Sequence, residues 1–380
     1  MSLEFEVIVV GAGAMGSAAA YHLARGGRSV LLLEQFGIGH DRGASHGHSR
    51  IIRLSYEHPV YVRLSQAAYK LWAELEADAG EKVLTTTGGL DLSLPGHPVF
   101  EECISSMKAV GVDHERFDAK EIQARYPQFR IDPQTVGIFQ KDAGILNPSQ
   151  SVPLMVNMAK KHGATVIDNT AVSSFYFDEN GVEVNCGDKT FKSAKLIISA
   201  GPWAESVLKK VGLNVPLAIT EERYVFFKPP QPELFAIGKC PIFAQYGENL
   251  AGKDIEFYGF PIFGLDGVKV AEHRFGAPVT ADDRSFVVSD DVIERMRRRT
   301  EKLIPDAVGD VIHAMTCLYS NSQDRHFVID LLPGYPDIVI AAGFSGHGYK
   351  FAIVVGRILA DLVERECTDF DLSLFSLSRF

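Results

Sequence analysis

Three things are missing from this 380-residue chain: long apolar runs, closely spaced cysteines and an excess of basic charge. No uninterrupted apolar stretch approaches the ~20 residues of a membrane span, so we expect no membrane partner. The five cysteines are widely scattered, without a CxxC pair or a zinc spacing, which predicts free thiols in a reducing compartment and no bound metal. The net charge of −10 argues against nucleic acid as a main partner.

What the chain does contain is the composition of an ordinary soluble protein, with 46% hydrophobic and 23% charged residues. Its length suffices for two domains, or for one large domain with an insertion. Glu4 and Glu6 precede the first apolar stretch, and acidic residues there have the wrong sign for a secretory leader. We therefore expect a cytoplasmic protein.

Residues 7–34 have the pattern of a dinucleotide-binding strand–helix–strand unit. Four apolar residues predict a buried parallel strand. Gly11 then permits a tight turn, Gly13 lets the backbone approach a pyrophosphate, and Gly16 lets the helix pack on the strand. The helix N-terminus offers N–H groups and a positive dipole to that pyrophosphate, and Glu34 stands at the spacing of a ribose-hydroxyl acceptor. The pattern does not say which dinucleotide binds.

Two later segments repeat the order of strand, glycine and helix. One runs from Leu196 through Gly201, and the other is Ile338 to Gly343 followed by a helix to about Arg365. A single parallel sheet built from all three would make the domain discontinuous, with other segments inserted between them. Helical spacing of apolar residues also predicts helices at about 60–79 and 152–162, and an Asn-Gly pair at 180–181 predicts a hairpin turn.

The first of four clusters with candidate chemistry is the loop from Ser45 to Arg53, which holds two histidines and two arginines. If the Ile-Ile segment between Arg50 and Arg53 is extended, these arginines point to opposite faces and serve different groups. A guanidinium fork suits a planar carboxylate. The alternative is a solvated loop without a ligand.

The second cluster is Tyr258 with Lys269 and His273 further on. Val268 and Val270 flank the lysine, which favours a strand that turns Lys269 and His273 onto one face. If this face is buried, the lysine and the histidine require partners. The alternative is that this face of the strand is exposed to solvent.

The third and fourth clusters lie near the end of the chain. Cys317, followed by Tyr319, predicts on its own an inert buried thiol. Gly343, Gly346 and Gly348 precede a helix and lead to Lys350, a pattern that indicates either a second backbone cradle for a cofactor or a plain tight turn.

In this order, the clusters resemble the monomeric sarcosine oxidase family of flavoprotein amine oxidases, which includes N-methyltryptophan oxidase, pipecolate oxidase and fructosyl-amino-acid oxidases. The matching motifs span nearly the whole chain and comprise the N-terminal fingerprint, Ser-His-Gly-x-Ser-Arg-Ile-Ile-Arg, Tyr-Gly-Phe-Pro, Lys-x-x-x-His, Cys-x-Tyr, Phe-x-Ile-Asp and Ala-Gly-Phe-Ser-Gly-His-Gly-Tyr-Lys. The resemblance implies an α/β fold: a Rossmann-like, discontinuous FAD-binding domain (1–83, 147–217 and 321–380) interleaved with an α+β substrate domain on a mixed sheet (84–146 and 218–320).

The resemblance also implies roles for individual residues. Cys317 corresponds to the covalent tether of the flavin, through a thioether to its 8α-methyl group. Arg53 and Lys350 correspond to the pair that holds the substrate carboxylate, and Arg50 to the basic residue beside the flavin. Lys269 corresponds to the residue near flavin N5 that promotes reaction with oxygen. The remaining implied site residues are His46, Tyr258, His273 and Tyr319 around the substrate, and Gly11, Gly13, Gly16, Glu34, Ser45, Gly343, Gly346, Gly348 and Lys350 around the cofactor.

The implied activity is that of a monomeric FAD-dependent oxidase, which converts a secondary amino acid such as sarcosine to an imine and reduces O2 to H2O2. Oxidation of a cyclic or N-fructosyl amino acid is the alternative, and an NAD-dependent dehydrogenase or a non-catalytic FAD-carrying subunit is a distant one. His48 stands where sarcosine oxidase and N-methyltryptophan oxidase have an acidic residue, and segment 220–257 matches no branch of the family. The sequence therefore leaves the substrate open.

Overall fold

The computed structural model describes residues 3–250 and 253–380. Its helices are α1 (Ala14–Arg25), α2 (Pro59–Ala79), α3 (Pro98–Ala109), α4 (Ala119–Arg125), α5 (Pro148–Lys161), α6 (Ala204–Lys209), α7 (Asp290–Leu303) and α8 (Ala352–Arg365). Its strands are β1 (Leu3–Val10), β2 (Val30–Leu33), β3 (Arg50–Ile52), β4 (Leu84–Thr86), β5 (Gly89–Ser93), β6 (Glu115–Phe117), β7 (Val136–Gln140), β8 (Gly144–Leu146), β9 (Thr165–Ile167), β10 (Ser174–Asp178), β11 (Gly181–Cys186), β12 (Lys189–Ile198), β13 (Leu217–Lys228), β14 (Ile242–Leu250), β15 (Lys253–Phe260), β16 (Val268–Glu272), β17 (Ala277–Pro278), β18 (Asp310–Ser322), β19 (Val328–Leu332) and β20 (Tyr335–Ala342).

The first sheet brings together strands that lie far apart in sequence. β1 pairs in parallel with β2 and with β12, and β12 pairs in parallel with β20, while β9 extends the sheet beyond β2. The three strand–glycine segments predicted from the sequence therefore do pair in parallel within one sheet, to which β10, β11 and β19 add antiparallel pairs. Their apolar runs are buried on both faces, as a covered parallel sheet requires.

Helices cover this parallel sheet closely. α1 packs against α5 and α8, and a Cβ placed on Gly356 of α8 would overlap Ala18 of α1. The absence of a side chain at Gly356 allows the two helices to approach closely, and most of α1 is buried. This packing fixes the N-terminus of α1 at the carboxyl end of β1, where the glycine turn lies.

The second large sheet has the order β17-β13-β16-β15-β14-β5-β7-β6, with β18 also paired to β13. Its members come from two separate stretches of the chain, and β14 pairs in parallel with β5 whereas the other pairs are antiparallel. The expected α/β fold with a mixed sheet is confirmed. The proposed domain boundaries stay a prediction, although the strands divide between the two sheets in the same way.

A three-stranded sheet, β3-β8-β4, carries the arginine loop. β3 pairs antiparallel with β8, and this pairing holds Arg50 in extended backbone. All five cysteines are free thiols, as predicted. Among the described residues, none of the helices combines the length and apolar character needed to cross a membrane.

Some predicted elements begin or end elsewhere. Helix α5 begins at Pro148 rather than near residue 152, because the Asn147 side chain caps it by accepting a hydrogen bond from Ser149 N. β12 is longer than the predicted strand from Leu196, since its first half pairs antiparallel with β11 across a turn at residues 187–188, whereas the predicted Asn-Gly turn joins β10 to β11. Such pairing depends on a partner strand and is not visible in local periodicity.

Candidate active site

The glycine turn after β1 forms a narrow backbone cradle. Gly11 has a φ of +96°, which favours glycine, and a Cβ on Gly16 would overlap the Gly11 carbonyl oxygen. Gly13 occupies the N-cap of α1 and supplies no side-chain cap. Ser45 approaches from the arginine loop, and its Oγ accepts a hydrogen bond from Ala14 N at 3.0 Å. The helix N-terminus thus faces a cavity rather than protein.

Glu34 ends β2 and is buried beside this turn. Its carboxylate accepts hydrogen bonds from Ala12 N at 2.7 Å and from Phe36 N at 3.0 Å, and it lies 3.4 Å from His40 Nε2. These contacts place the acid at the edge of the glycine cradle. The position agrees with the predicted spacing of a ribose acceptor.

Two cavities run on from this cradle. One of about 160 Å³ is lined by Gly11, Gly13 and Glu34, and another of about 360 Å³ extends to Cys317 and Lys350. Both are lined by Gly13, Ala44, Ser45, Ser199, Gly201 and Pro202, so the two cavities adjoin. The result is one elongated cleft that passes between the two large sheets.

Cys317 lies on β18 and is 6% exposed, at the wall of the larger cavity. Arg50 Nη2 lies 3.6 Å from its sulfur. Arg50 is held in turn by the carbonyl oxygens of Ser49 at 2.9 Å and Ala44 at 3.0 Å. A guanidinium therefore lies against the sulfur at the cavity wall.

Lys269 lies on β16 and is 3% exposed, so of the two alternatives for this strand face the buried one holds at Lys269. Its Nζ donates to the Ser49 carbonyl at 3.1 Å and to Ser49 Oγ at 3.2 Å, and it stands over the rings of Tyr224 and Phe260. Burial, and then the nearby charge of Arg50, hold the pKa of Lys269 well below its usual range. Lys269 and Arg50 therefore share one carbonyl oxygen, that of Ser49.

Arg53 follows β3 and points away from Arg50, as the extended segment predicts. Its Nη1 pairs with Asp91 at 2.6 Å and its Nη2 with Glu256 at 3.3 Å. Burial raises the pKa of Glu256, and Arg53 opposes that rise. The guanidinium thus lines the cavity with part of its donor fork already engaged by carboxylates.

Lys350 stands next to Arg53 and is 7% exposed. Its Nζ donates to Tyr56 Oη at 2.6 Å and to the His347 carbonyl at 3.1 Å. Burial, and then the charge of Arg53, lower the pKa of Lys350 to about 7. An ammonium has three donors, so one N–H of Lys350 stays available to a ligand in the cavity.

His273, Tyr319 and Tyr258 form a connected group on the cavity wall. His273 Nδ1 lies 3.1 Å from the Tyr319 hydroxyl, which also hydrogen-bonds with Tyr258. Burial lowers the pKa of His273 well below its usual range and raises those of both tyrosines. All three side chains are therefore neutral near pH 7.

The glycine loop before Lys350 contacts this group. A Cβ on Gly346, which has a φ of +78°, would overlap the ring of Tyr319, and a Cβ on Gly348 would overlap Phe344. Gly343 also has a positive φ, of +62°. The loop therefore needs glycine in order to lie flat against the cavity, which agrees with a cradle better than with a plain turn.

His46 is the exception among the predicted site residues, because it lines neither cavity. It is 5% exposed, its Nε2 makes no hydrogen bond, and burial followed by the charge of Arg50 lowers its pKa to about 2. The predicted place of His46 beside the substrate stays a prediction. Gly16 also lies off the cavities, as its predicted packing role requires.

Several residues of the site were missed at the level of sequence. They are Ser49, Tyr56, Asp91, Glu256 and His347, which hold the four cations in place. An aspartate inside the apolar strand Gly-Leu-Asp-Leu-Ser was a visible signal, since a buried carboxylate requires a partner. Ser49 and His347 lie inside the quoted motifs but were assigned no role, and nothing in the local sequence pointed to Tyr56 or Glu256.

This cleft fits FAD. The glycine cradle and Glu34 suit the adenosine and pyrophosphate part of a dinucleotide, and the adjoining cavity offers a wall with Cys317, Arg50 and the flat glycine loop. An NAD-binding site would leave the thiol and the second glycine loop without a function.

Comparisons with known proteins agree with this geometry. The family model described as FAD dependent oxidoreductase matches residues 6–362. A monomeric sarcosine oxidase of Streptomyces avermitilis is 38% identical over 100% of the chain and 98% of its own length, and an N-methyl-L-tryptophan oxidase of Salmonella dublin is 30% identical over 100% of both. The solved structure of NikD, described as an unusual amino acid oxidase, has a TM-score of 0.86 at 22% identity, covering 99% of this chain and 98% of that one. The predicted family resemblance is confirmed.

The lowered pKa of Lys350 makes a prediction about ligand binding. A carboxylate ligand without an amine, such as (methylthio)acetate, binds best to the protonated lysine, which predominates below pH 7. We expect its affinity to fall as the pH rises from about 7 to 9, approaching a tenfold loss per pH unit. Titration calorimetry of the cofactor-loaded protein measures this.

The matched control is Lys350→Met, which removes the titrating group. We expect weaker and pH-independent binding in that variant. A dissociation constant of the unaltered protein that does not change between pH 6 and pH 9 contradicts the assignment.

Proposed function

The chain belongs to the FAD dependent oxidoreductase family, and on that premise we propose that it is an oxidase of secondary amino acids. The substrate loses two electrons and two protons to become an imine, and O2 takes them up as H2O2. One observation carries the proposal: the cations suited to a carboxylate and those suited to a flavin line the same cavity. A monomeric state and a cytoplasmic location remain predictions from the sequence.

The residues for the cofactor divide between the two cavities. Gly11, Gly13 and Glu34 would hold the adenosine diphosphate part, while Cys317 and the loop from Gly343 would hold the ring system. When bound, FAD accepts a hydride from the substrate and passes the electrons to O2. We propose that Cys317 Sγ carries the cofactor through a thioether, since this sulfur lies beside Arg50 at the wall of the larger cavity.

Arg53 and Lys350 are proposed to bind the substrate carboxylate. Lys350 has a free donor, and Arg53 keeps the donors that Asp91 and Glu256 do not use. Two cations that converge on one carboxylate fix the position of the α-carbon in the cavity. Asp91 and Glu256 keep the buried guanidinium compensated before the substrate arrives.

The surroundings of the amine favour its neutral form. His273, Tyr258 and Tyr319 are neutral, and the fixed charges around them are largely positive. A neighbouring positive charge disfavours an ammonium group, so it lowers the pKa of the bound amine. A neutral amine has the lone pair needed for its α-hydrogen to leave as hydride.

Lys269 is proposed to promote the reaction with O2. Reduction of O2 begins with the development of negative charge, and a fixed cation in a dry site stabilises that charge. The lowered pKa of Lys269 also makes it a better proton donor than an ordinary lysine. Its two hydrogen bonds to Ser49 hold the ammonium in place.

The proposed activity is tested by a screen for peroxide release. The panel comprises sarcosine, other N-methyl amino acids, pipecolate, proline and fructosyl amino acids. We expect peroxide with at least one secondary amino acid, and a rise in KM of about 10- to 100-fold in Arg53→Met from loss of a charge-assisted pair. The absence of peroxide with every member of the panel, in a protein that contains FAD, would overturn the proposal.

The proposed tether predicts where the yellow colour goes after acid precipitation. In the unaltered protein we expect it to stay with the pellet, because a thioether survives denaturation. In Cys317→Ser we expect the flavin in the supernatant, or a protein that no longer retains it.

The control is Cys367→Ser, at an exposed thiol, for which the colour should stay in the pellet. Colour in the supernatant of the unaltered protein contradicts the tether and leaves the oxidase proposal standing.

Lys269→Met separates the two halves of the reaction. We expect nearly unchanged bleaching of the yellow colour by substrate without oxygen, because Lys269 contacts neither Arg53 nor Lys350 among the described residues. We expect the colour to return much more slowly when O2 is admitted. Stopped-flow absorbance measures both rates, and an unchanged rate of colour return would refute the role of Lys269.

A further inference from the structure

Two arginines at the substrate end of the larger cavity have no part in the function proposed above. Arg274 directly follows His273, and Arg325 lies in the turn between β18 and β19. Both line the cavity that Arg53 and Lys350 also line. The cavity therefore holds two more cations than one carboxylate requires.

Neither of these arginines has a counter-ion in the part of the chain that the structure describes. No hydrogen bond or ion pair is made there by either guanidinium, and Arg274 Nε is a buried donor without an acceptor. A buried donor without a partner is unfavourable, and native proteins seldom keep one without a reason. An acceptor from a ligand in the cavity would satisfy it.

The backbone of both arginines has a defined conformation next to the proposed carboxylate site. The Arg325 carbonyl accepts a hydrogen bond from His347 Nε2 at 3.1 Å, and the His347 carbonyl accepts one from Lys350 Nζ, also at 3.1 Å. Arg274 has a φ of +61° and Arg325 a φ of +66°, a left-handed conformation that residues other than glycine rarely adopt. Such backbone persists where the surrounding structure requires that residue to point a particular way.

The charges in this region favour an anion. Besides burial, Arg274 lowers the pKa values of Lys350 and Arg325, which shows that the cations lie close together. The acids facing them are Glu57, which is exposed, and Glu256, which already pairs with Arg53. Glu57 and Glu256 offset part of this charge, but among the described residues neither forms an ion pair with Arg274 or Arg325.

We propose that Arg274 and Arg325 form a second carboxylate-binding subsite, so that the substrate is a dicarboxylic secondary amino acid. Its α-carboxylate lies between Arg53 and Lys350, and its other carboxylate lies between Arg274 and Arg325. The identification of the ligand as a secondary amino acid rests on the proposed function, whereas the preference for two carboxylates does not.

Two thioethers that differ only in the second carboxylate test this subsite without turnover. Thiodiacetate has two carboxylates and (methylthio)acetate has one, and neither carries an amine that can become an imine. In the cofactor-loaded protein we expect thiodiacetate to bind about 10- to 100-fold more tightly, as one charge-assisted contact gives. Titration calorimetry measures both dissociation constants.

Variants assign the preference to these two arginines. In Arg274→Gln and in Arg325→Gln we expect affinity for thiodiacetate to fall about tenfold, with affinity for (methylthio)acetate nearly unchanged. Arg274→Lys, which keeps the charge, should retain part of the preference. Arg298→Gln is the control, since that side chain is exposed on α7 and remote from the cavity. Should Arg274→Gln fail to hold its cofactor, the exposed position of Arg325 carries the same test.

Equal affinity for the two thioethers in the unaltered protein would overturn the subsite, and so would a preference that survives both substitutions. Peroxide release from monocarboxylic amino acids, without a preference for dicarboxylic ones, would overturn the subsite and leave the oxidase proposal intact. Selective binding of thiodiacetate without peroxide release from any amine would support the subsite and overturn the oxidase proposal.

Discussion

The Ser49 carbonyl is the point on which the arrangement of the site depends. It accepts hydrogen bonds from Arg50 Nη1 and from Lys269 Nζ, and these two cations come from different sheets. Two positive charges this close repel each other, and burial adds the cost of lost hydration. The shared acceptor, with the Ala44 carbonyl and the rings over Lys269, compensates for both effects. Ser49 thereby joins the arginine loop to the second large sheet.

The buried positive charges at the other end of the cavity also need compensation, and they receive it from different groups. Arg53 is compensated by two carboxylates, Asp91 and Glu256, whereas Lys350 has only a hydroxyl and a carbonyl. Because neutral acceptors stabilise an ammonium less than carboxylates do, burial lowers the pKa of Lys350 to about 7. These two cations line the same cavity but differ in protonation behaviour, and the difference comes from their partners.

Much of the fold was predictable because its signals are local. Glycines at fixed offsets after apolar strands located the three segments of the parallel sheet, and all three do pair in it. The bounds of β12 and α5 were less accurate, since they depend on a partner strand and a cap. His46 shows what a motif leaves open: it lies in the same loop as Arg50, yet only Arg50 is among the residues that line the larger cavity.

The sequence by itself determined the cofactor class, the family and the identity of most residues around the cleft, because each of these follows from short motifs whose spacing is fixed along the chain. Only the tertiary structure decided which charges meet. Asp91, Glu256 and Arg53 come from three separate strands or loops, and Arg274 meets Arg325 only through the register of β16 and β18 on β13. Charge pairing acts through space over a few ångströms, so residues distant in sequence set the ionisation of the site.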